Sequence, residues 1–109
     1  MEEKDIIRHG EVSQEVIDRW KKINRRVIEI PVRDGNDEYI GYFKSPDVKT
    51  MSAINKINKT DEFEGLRVLF NNCWLDGAEE IRQDGILFIK VGEQLNAMFG
   101  NATARLKNL

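Results

Sequence analysis

Few residues in this chain have the chemistry to act as a catalytic or metal site. The stretch "LFNNCWLDGAEEIRQDGILF", residues 69–88, holds the sole cysteine, Cys73, beside Trp74 and a short acidic turn. A cysteine nucleophile needs a base or a positive environment to form thiolate near neutral pH. The sole histidine, His9, stands in a polar segment far from it in sequence. Cys73 therefore reads as a structural thiol that packs like a small hydrophobe, and His9 as a solvated side chain. The acids Asp76, Glu79, Glu80 and Asp84 form one oxygen-rich run, and Asp34, Asn36, Asp37 and Glu38 form another. Neither has the alternate-position ligands, sixth-position glycine and twelfth-position glutamate of a calcium loop. Both suit helix capping and turn formation, and no metal site is expected. No glycine-rich phosphate loop or serine elbow occurs, so no cofactor, no catalytic residue and no enzymatic activity are expected.

Across the whole chain, 109 residues suffice for one domain with one core. With 40% hydrophobic and 33% charged residues, the composition is that of an ordinary globular protein. A net charge of -2 lacks the basic excess that phosphate backbones require, so nucleic acid is an unlikely partner. One cysteine permits no internal disulfide, and a reducing compartment fits. "MEEKDIIRHGEV" has acids where a signal peptide needs basic residues, and no apolar run is long enough to span a bilayer.

The expected organisation is a polar N-terminal segment over 1–12, a single α+β domain over 13–100 and a C-terminal tail over 101–109. Within it, about four helices pack against one β-hairpin. Ser13 can cap a helix over 14–25 whose face is Val16, Ile17, Trp20 and Ile23, with Val12 and Ile17 as a hydrophobic staple. In "VIEIPVR" the apolar residues alternate, which predicts a strand, and Pro31 belongs on an edge or at a bulge. "DGND" predicts the turn and "EYIGYFK" the return strand. Ser45 and Pro46 predict the next helix start, with Met51, Ile54 and Ile57 inward and Lys49, Ser52, Lys56 and Lys59 outward. A further helix opening at Thr60 carries the stripe Phe63, Leu66, Leu69, Phe70, Cys73 and Trp74, and Gly77 is expected to close it. "AEEIRQ" makes at most a short turn.

Asp84 can cap a last helix with Leu87, Phe88, Val91, Leu95, Met98 and Phe99 toward the core. On another side of that helix lie Ile86, Ile89 and Ala97, which either meet the hairpin or form a partner surface. With Leu106 and Leu109 of the tail they are the candidate partner-binding residues. Lys44, Lys49, Lys56 and Lys59 could form a basic patch, though a solvated helix face is the simpler reading. On these expectations Trp74→Ala costs about 3–5 kcal/mol if that side chain is buried, and Glu79→Ala costs little.

The stretches "EYIGYFKSPDVKTMSAINKI", "LRVLFNNCWLDGAEEIRQDGILF" and "QLNAMFGNATARLKNL" together resemble the small tail assembly chaperones of long-tailed bacteriophages. The resemblance covers roughly residues 27–109. It implies a non-enzymatic role in virion morphogenesis: binding the tape measure protein and keeping it soluble in the cytoplasm of the infected host until tube subunits assemble around it. It marks Tyr39, Tyr42, Phe43, Pro46, Cys73, Trp74, Leu75 and Gly77 as fold-defining and points to no active-site residue. The basic Lys21, Lys22, Arg25 and Arg26 lie outside it. The alternatives are a structural accessory protein of the virion, in neck, tail or capsid, and a small DNA-binding regulator using the lysine face. A homo-oligomer is compatible with all three.

Overall fold

A computed structural model describes residues 5–109, with the side chain of Asn101 left aside. Residues 1–4 of the expected N-terminal segment lie outside the described residues. The chain runs β1 (Ile7–His9), α1 (Gln14–Ile23), β2 (Val27–Asp34), β3 (Asp37–Lys44), α2 (Val48–Asn58), α3 (Glu62–Cys73), β4 (Trp74–Gly77), α4 (Glu79–Gln83) and α5 (Gly85–Ala97), then a 3-10 turn over Met98–Asn101. The class is α+β, as the residue pattern suggests. Among the described residues the expected four helices and one hairpin give way to five α-helices and a four-stranded sheet.

Strand β3 is the centre of that sheet. On one flank β2 pairs with it antiparallel, from Val27 opposite Lys44 to Asp34 opposite Asp37. Gly35, at φ +64°, takes a turn conformation that side-chain-bearing residues rarely adopt. On the other flank two short strands share the edge end to end, β1 parallel over Asp37–Tyr39 and β4 antiparallel over Gly41–Phe43. Where they meet, a Cβ on Gly10 would fall 2.2 Å from the backbone nitrogen of Ala78, and Gly10 sits at φ +86°. That close approach admits only glycine.

Within the polar N-terminal segment Ile7–His9 is a sheet strand, and the Ile7 N–H donates to the Asn36 carbonyl at 2.8 Å. One expectation is corrected: Gly77 closes no helix. Helix α3 stops at Cys73, and Trp74–Gly77 straighten into β4 because β3 has unpaired main-chain groups on that flank. The Ala78 N–H completes the pairing, donating to the Ile40 carbonyl at 2.9 Å.

Caps set the helix ends. Ser13 caps α1, which ends two residues short of the expected 25, at Ile23, where the Asn24 N–H and side-chain amide both donate to the Trp20 carbonyl. Asp47, and not Ser45, caps α2: its carboxylate accepts from the Thr50 N–H at 2.7 Å, and that bond is the first cause holding its pKa below the usual range. Asp61, not Thr60, caps α3. Asp84 caps α5 by accepting from the Ile86 and Leu87 N–H groups at 2.9 and 3.1 Å.

Tyr39, Gly41 and Phe43 face α3 and α5 by strand alternation. The core joins Phe43 to Phe70, Cys73, Ile81, Val91 and Leu95. Phe43 meets Phe70 edge-on at 5.2 Å, and Phe70 stacks on Trp74 at 5.4 Å. Trp74 is half-buried with Arg82 over its ring at 5.5 Å, so its truncation costs less than full burial implies. The opposite face of the sheet carries Ile40 and Tyr42, with Trp20 of α1 5.5 Å from the Tyr42 ring. The Tyr42 hydroxyl donates to Glu29 at 3.2 Å and accepts from the Val12 N–H at 3.3 Å. Of the apolar face expected for α1, Val16, Ile17 and Trp20 are half-buried, whereas Ile23 is exposed.

Candidate functional site: a furrow along the edge strand

The outer edge of β2 follows from its register. With Asp34 and Asp37 closing a two-residue turn, the main-chain groups of Asp34, Val32, Ile30 and Ile28 point to β3, and those of Arg33, Pro31 and Glu29 point outward. The Ile40 carbonyl directed at Ala78, on the far flank, has the phase this requires. Pro31 thus removes a donor from the middle of the open edge, which blunts it against strand addition.

Helix α5 lies beside this strand, and a furrow runs between them in two adjoining stretches and continues into a third past the end of α5. The first, about 560 Å³, lies among Val32, Asp34, Asp84, Ile86 and Glu93. The second, about 490 Å³, lies among Glu29, Ala97 and Met98 and shares Ile30, Pro31 and Gln94 with the first. The third and widest, about 610 Å³, shares Ile28 and Met98 with the second and opens between the α1–β2 connection and the 3-10 turn. Its walls are apolar, with Met51, Met98 and Phe99 among them, and Lys21, Arg25 and Arg26 stand around it with no acid among the lining residues.

The residues singled out from sequence fall in three places. Ile86 and Ala97 line the furrow, and Ile86 is 74% exposed although large and aliphatic. Ile89 is half-buried and lines none of the three stretches. Leu106 and Leu109 lie exposed in the tail beyond the last helical turn. The structure brings Ile86 and Ala97 to one groove and leaves the other three apart from it.

Cys73 is fully buried, and burial, the largest cause, pushes its thiol up to about 11. A thiol held neutral in the core has no nucleophilic chemistry near neutral pH. His9 is more engaged than a solvated side chain: its Nε2 lies 2.9 Å from the Asp37 carboxylate and its ring stacks on Tyr39 at 4.8 Å. In the acidic runs Asp76 accepts from the Gly77 N–H and Asp84 caps α5, as expected of them, whereas Glu38 accepts from Arg8 at 3.0 Å across paired strands β1 and β3. Among the described residues no three His, Cys, Asp or Glu side chains converge as metal ligands do, and no helix is long and apolar enough to cross a membrane.

Lys21, Arg25 and Arg26 were not expected as lining residues; Met98 packs against the core as expected while also lining the cavity, and Phe99, expected in the core, is exposed. The signal present was the run "KKINRR" directly before an apolar strand. What no local pattern supplies is that the 3-10 turn, some 70 residues later, returns to the same place.

A β3-centred sheet with helices over both faces thus defines an α+β domain. The chain is similar in structure to an uncharacterised protein, rbstp2171, from Bacillus stearothermophilus, with a TM-score of 0.57 at 23% identity, over 84% of this chain and 99% of that one. At that identity the likeness is one of fold. No family model matches the sequence, and no curated protein matches it.

Proposed function

We propose that this chain is a non-catalytic binding protein of bacteriophage tail assembly, a chaperone that holds an amphipathic helix of the tape measure protein in the furrow between β2 and α5. The observation that carries the reading is the furrow itself. It exposes Ile86 beside an edge strand that Pro31 blunts against strand addition, which leaves helix-in-groove docking as the mode this surface suits. Helix α5, 13 residues, gives the furrow a length of roughly 20 Å, enough for several turns of a guest helix. The fully buried Cys73 agrees with a protein that acts by contact and not by covalent chemistry. In this reading the protein works in the cytoplasm of the infected host and covers apolar helix surface until tube subunits replace it.

Co-expression with the tape measure protein tests it. The expected result is a soluble tape measure protein with the wild-type chain and an insoluble one with an Ile86→Lys, Ala97→Asp double variant that remains folded. Equal solubility with both chains overturns the reading. Stoichiometric presence of the chain in purified virions would instead assign it to the particle as an accessory component. Displacement of the guest by a second copy, seen as a dimer that resists the tape measure protein, would assign the furrow to self-association.

A further inference from the structure

The two ends of the furrow differ in charge. Around the end at Ile86, Asp34, Asp84 and Glu93 stand with Arg33 and Lys90, so both signs of charge are present and most of these groups have partners. Asp84 caps α5, Arg33 donates to the Gly35 carbonyl at 3.4 Å, and Lys90 lies 4.0 Å from Glu93. Around the wide end stand Lys21, Arg25 and Arg26, all exposed, lining the cavity without an acid. Among the described residues none of the three makes an ion pair or a side-chain hydrogen bond. Lys21 also borders a neighbouring cleft with Glu11 and Glu29, whereas Arg25 and Arg26 do not, and cations over an apolar wall are complementary to anions carried next to large apolar groups, which in a polypeptide means carboxylates beside large apolar side chains. Arginine adds the planar fork that binds carboxylate in bidentate fashion. Met51 and Met98 supply flexible thioethers that adapt to varied apolar side chains.

We infer that the wide end is a carboxylate-reading pocket that sets the direction of the docked helix. The acid-bearing end of the guest polypeptide lies on Lys21, Arg25 and Arg26, and its apolar stripe runs from there along β2 to Ile86. This rests on the reading that the furrow takes a helix, and it adds the guest's charge pattern and polarity.

The test uses two fluorescein-labelled synthetic helices of about 18 residues with the same leucine stripe. One carries glutamates at one end, and the other carries glutamine at those positions. The glutamate peptide is expected to bind the full chain roughly tenfold more tightly than the glutamine peptide. The gap should narrow between about 50 and about 300 mM NaCl. An Arg25→Glu, Arg26→Glu variant should close the gap, read as the ratio of the two peptide affinities in the same variant, and Lys21→Glu should narrow it. The three positions are exposed, and circular dichroism checks that the variants fold. A nitroxide on the acid end should broaden the amide resonances of Arg26 and Phe99 and spare that of Ile86. Equal binding of the two peptides, or broadening at Ile86, overturns the pocket and leaves the furrow standing. Binding of neither peptide overturns both. Peptide binding that stays intact while the tape measure protein remains insoluble removes only the chaperone role. Sedimentation with phosphatidylglycerol vesicles, lost in the Arg25→Glu, Arg26→Glu variant and unaffected by the glutamate peptide, would overturn the pocket in favour of a lipid headgroup.

Discussion

The two flanks of β3 are finished in opposite ways. On one, β1 and β4 meet end to end, with Gly10 so close to Ala78 that no side chain fits between them, and Trp74 lies stacked on Phe70. On the other, β2 ends the sheet with Pro31 on its rim, and α5 stands off far enough to leave a furrow. The closed flank spends its aromatic residues on cohesion. The open flank leaves aliphatic and cationic groups without partners. The lesson is that conspicuous residue types need not mark an open surface: the Cys-Trp segment is a packed joint, while the furrow proposed as the docking surface is lined by isoleucine, methionine, lysine and arginine.

The largest break in that contrast should come from the closed flank. Phe70 is fully buried against Phe43, Trp74 and Phe88, so Phe70→Ala should cost about 3–5 kcal/mol in urea unfolding. A cost under about 1 kcal/mol would mean that the joint is not the stabilising centre.

A second measurement reads the same joint through pH. The Cys73 thiol goes from an ordinary 9.0 to about 11 because burial disfavours the thiolate. Between those values the unfolded chain releases its proton and the folded chain keeps it. The Cys73 contribution to stability is therefore unaffected below about pH 9, falls as pH rises from there, and levels off above about pH 11, a loss on the order of 3 kcal/mol. Cys73→Ala should remove that part of the alkaline slope. In the native wild type the thiol should resist an aromatic disulfide reagent near pH 8 and react once urea unfolds the chain. Rapid native labelling would place the thiol outside the core.

What could be read in advance divides along the same line between local and distant. Ser13, Asp84 and the Gly35 turn act on residues within a few positions of themselves, and the α1 start, the α5 start and the hairpin are all visible as sequence patterns. Strands β1 and β4 are three and four residues long and owe their existence to β3, about 30 residues away, so neither carries an alternation that can be seen alone. The misplaced caps, Asp47 for Ser45 and Asp61 for Thr60, arise because adjacent residues can each accept from a first-turn N–H and geometry chooses between them. For the furrow, the apolar side of α5 can be read from periodicity. Its alignment with Pro31 and the arrival of Arg25 and Arg26 beside Phe99 depend on the tertiary fold.

A smaller effect is expected where the two flanks share a boundary. Asp84 caps α5 while also lining the furrow, so Asp84→Ala should lower stability by about 1 kcal/mol. Loss of well over about 2 kcal/mol would show that the α5 start is held by more than its cap.

The finest test sets two isoleucines five positions apart against each other. Ile81 on α4 is fully buried in the core, and Ile86 on α5 is 74% exposed. Ile81→Ala should cost about 2–5 kcal/mol, whereas Ile86→Ala should stay within about 0.5 kcal/mol of wild type in the free protein. The order should invert for a guest. Ile86→Ala should weaken binding of the leucine-stripe helix, and Ile81→Ala, where it folds, should leave it unchanged, because only Ile86 has apolar surface still to bury. If Ile86→Ala instead destabilised the free chain by about 2 kcal/mol or more, the α5–β2 gap would be closed in solution and the furrow would not exist as a docking surface.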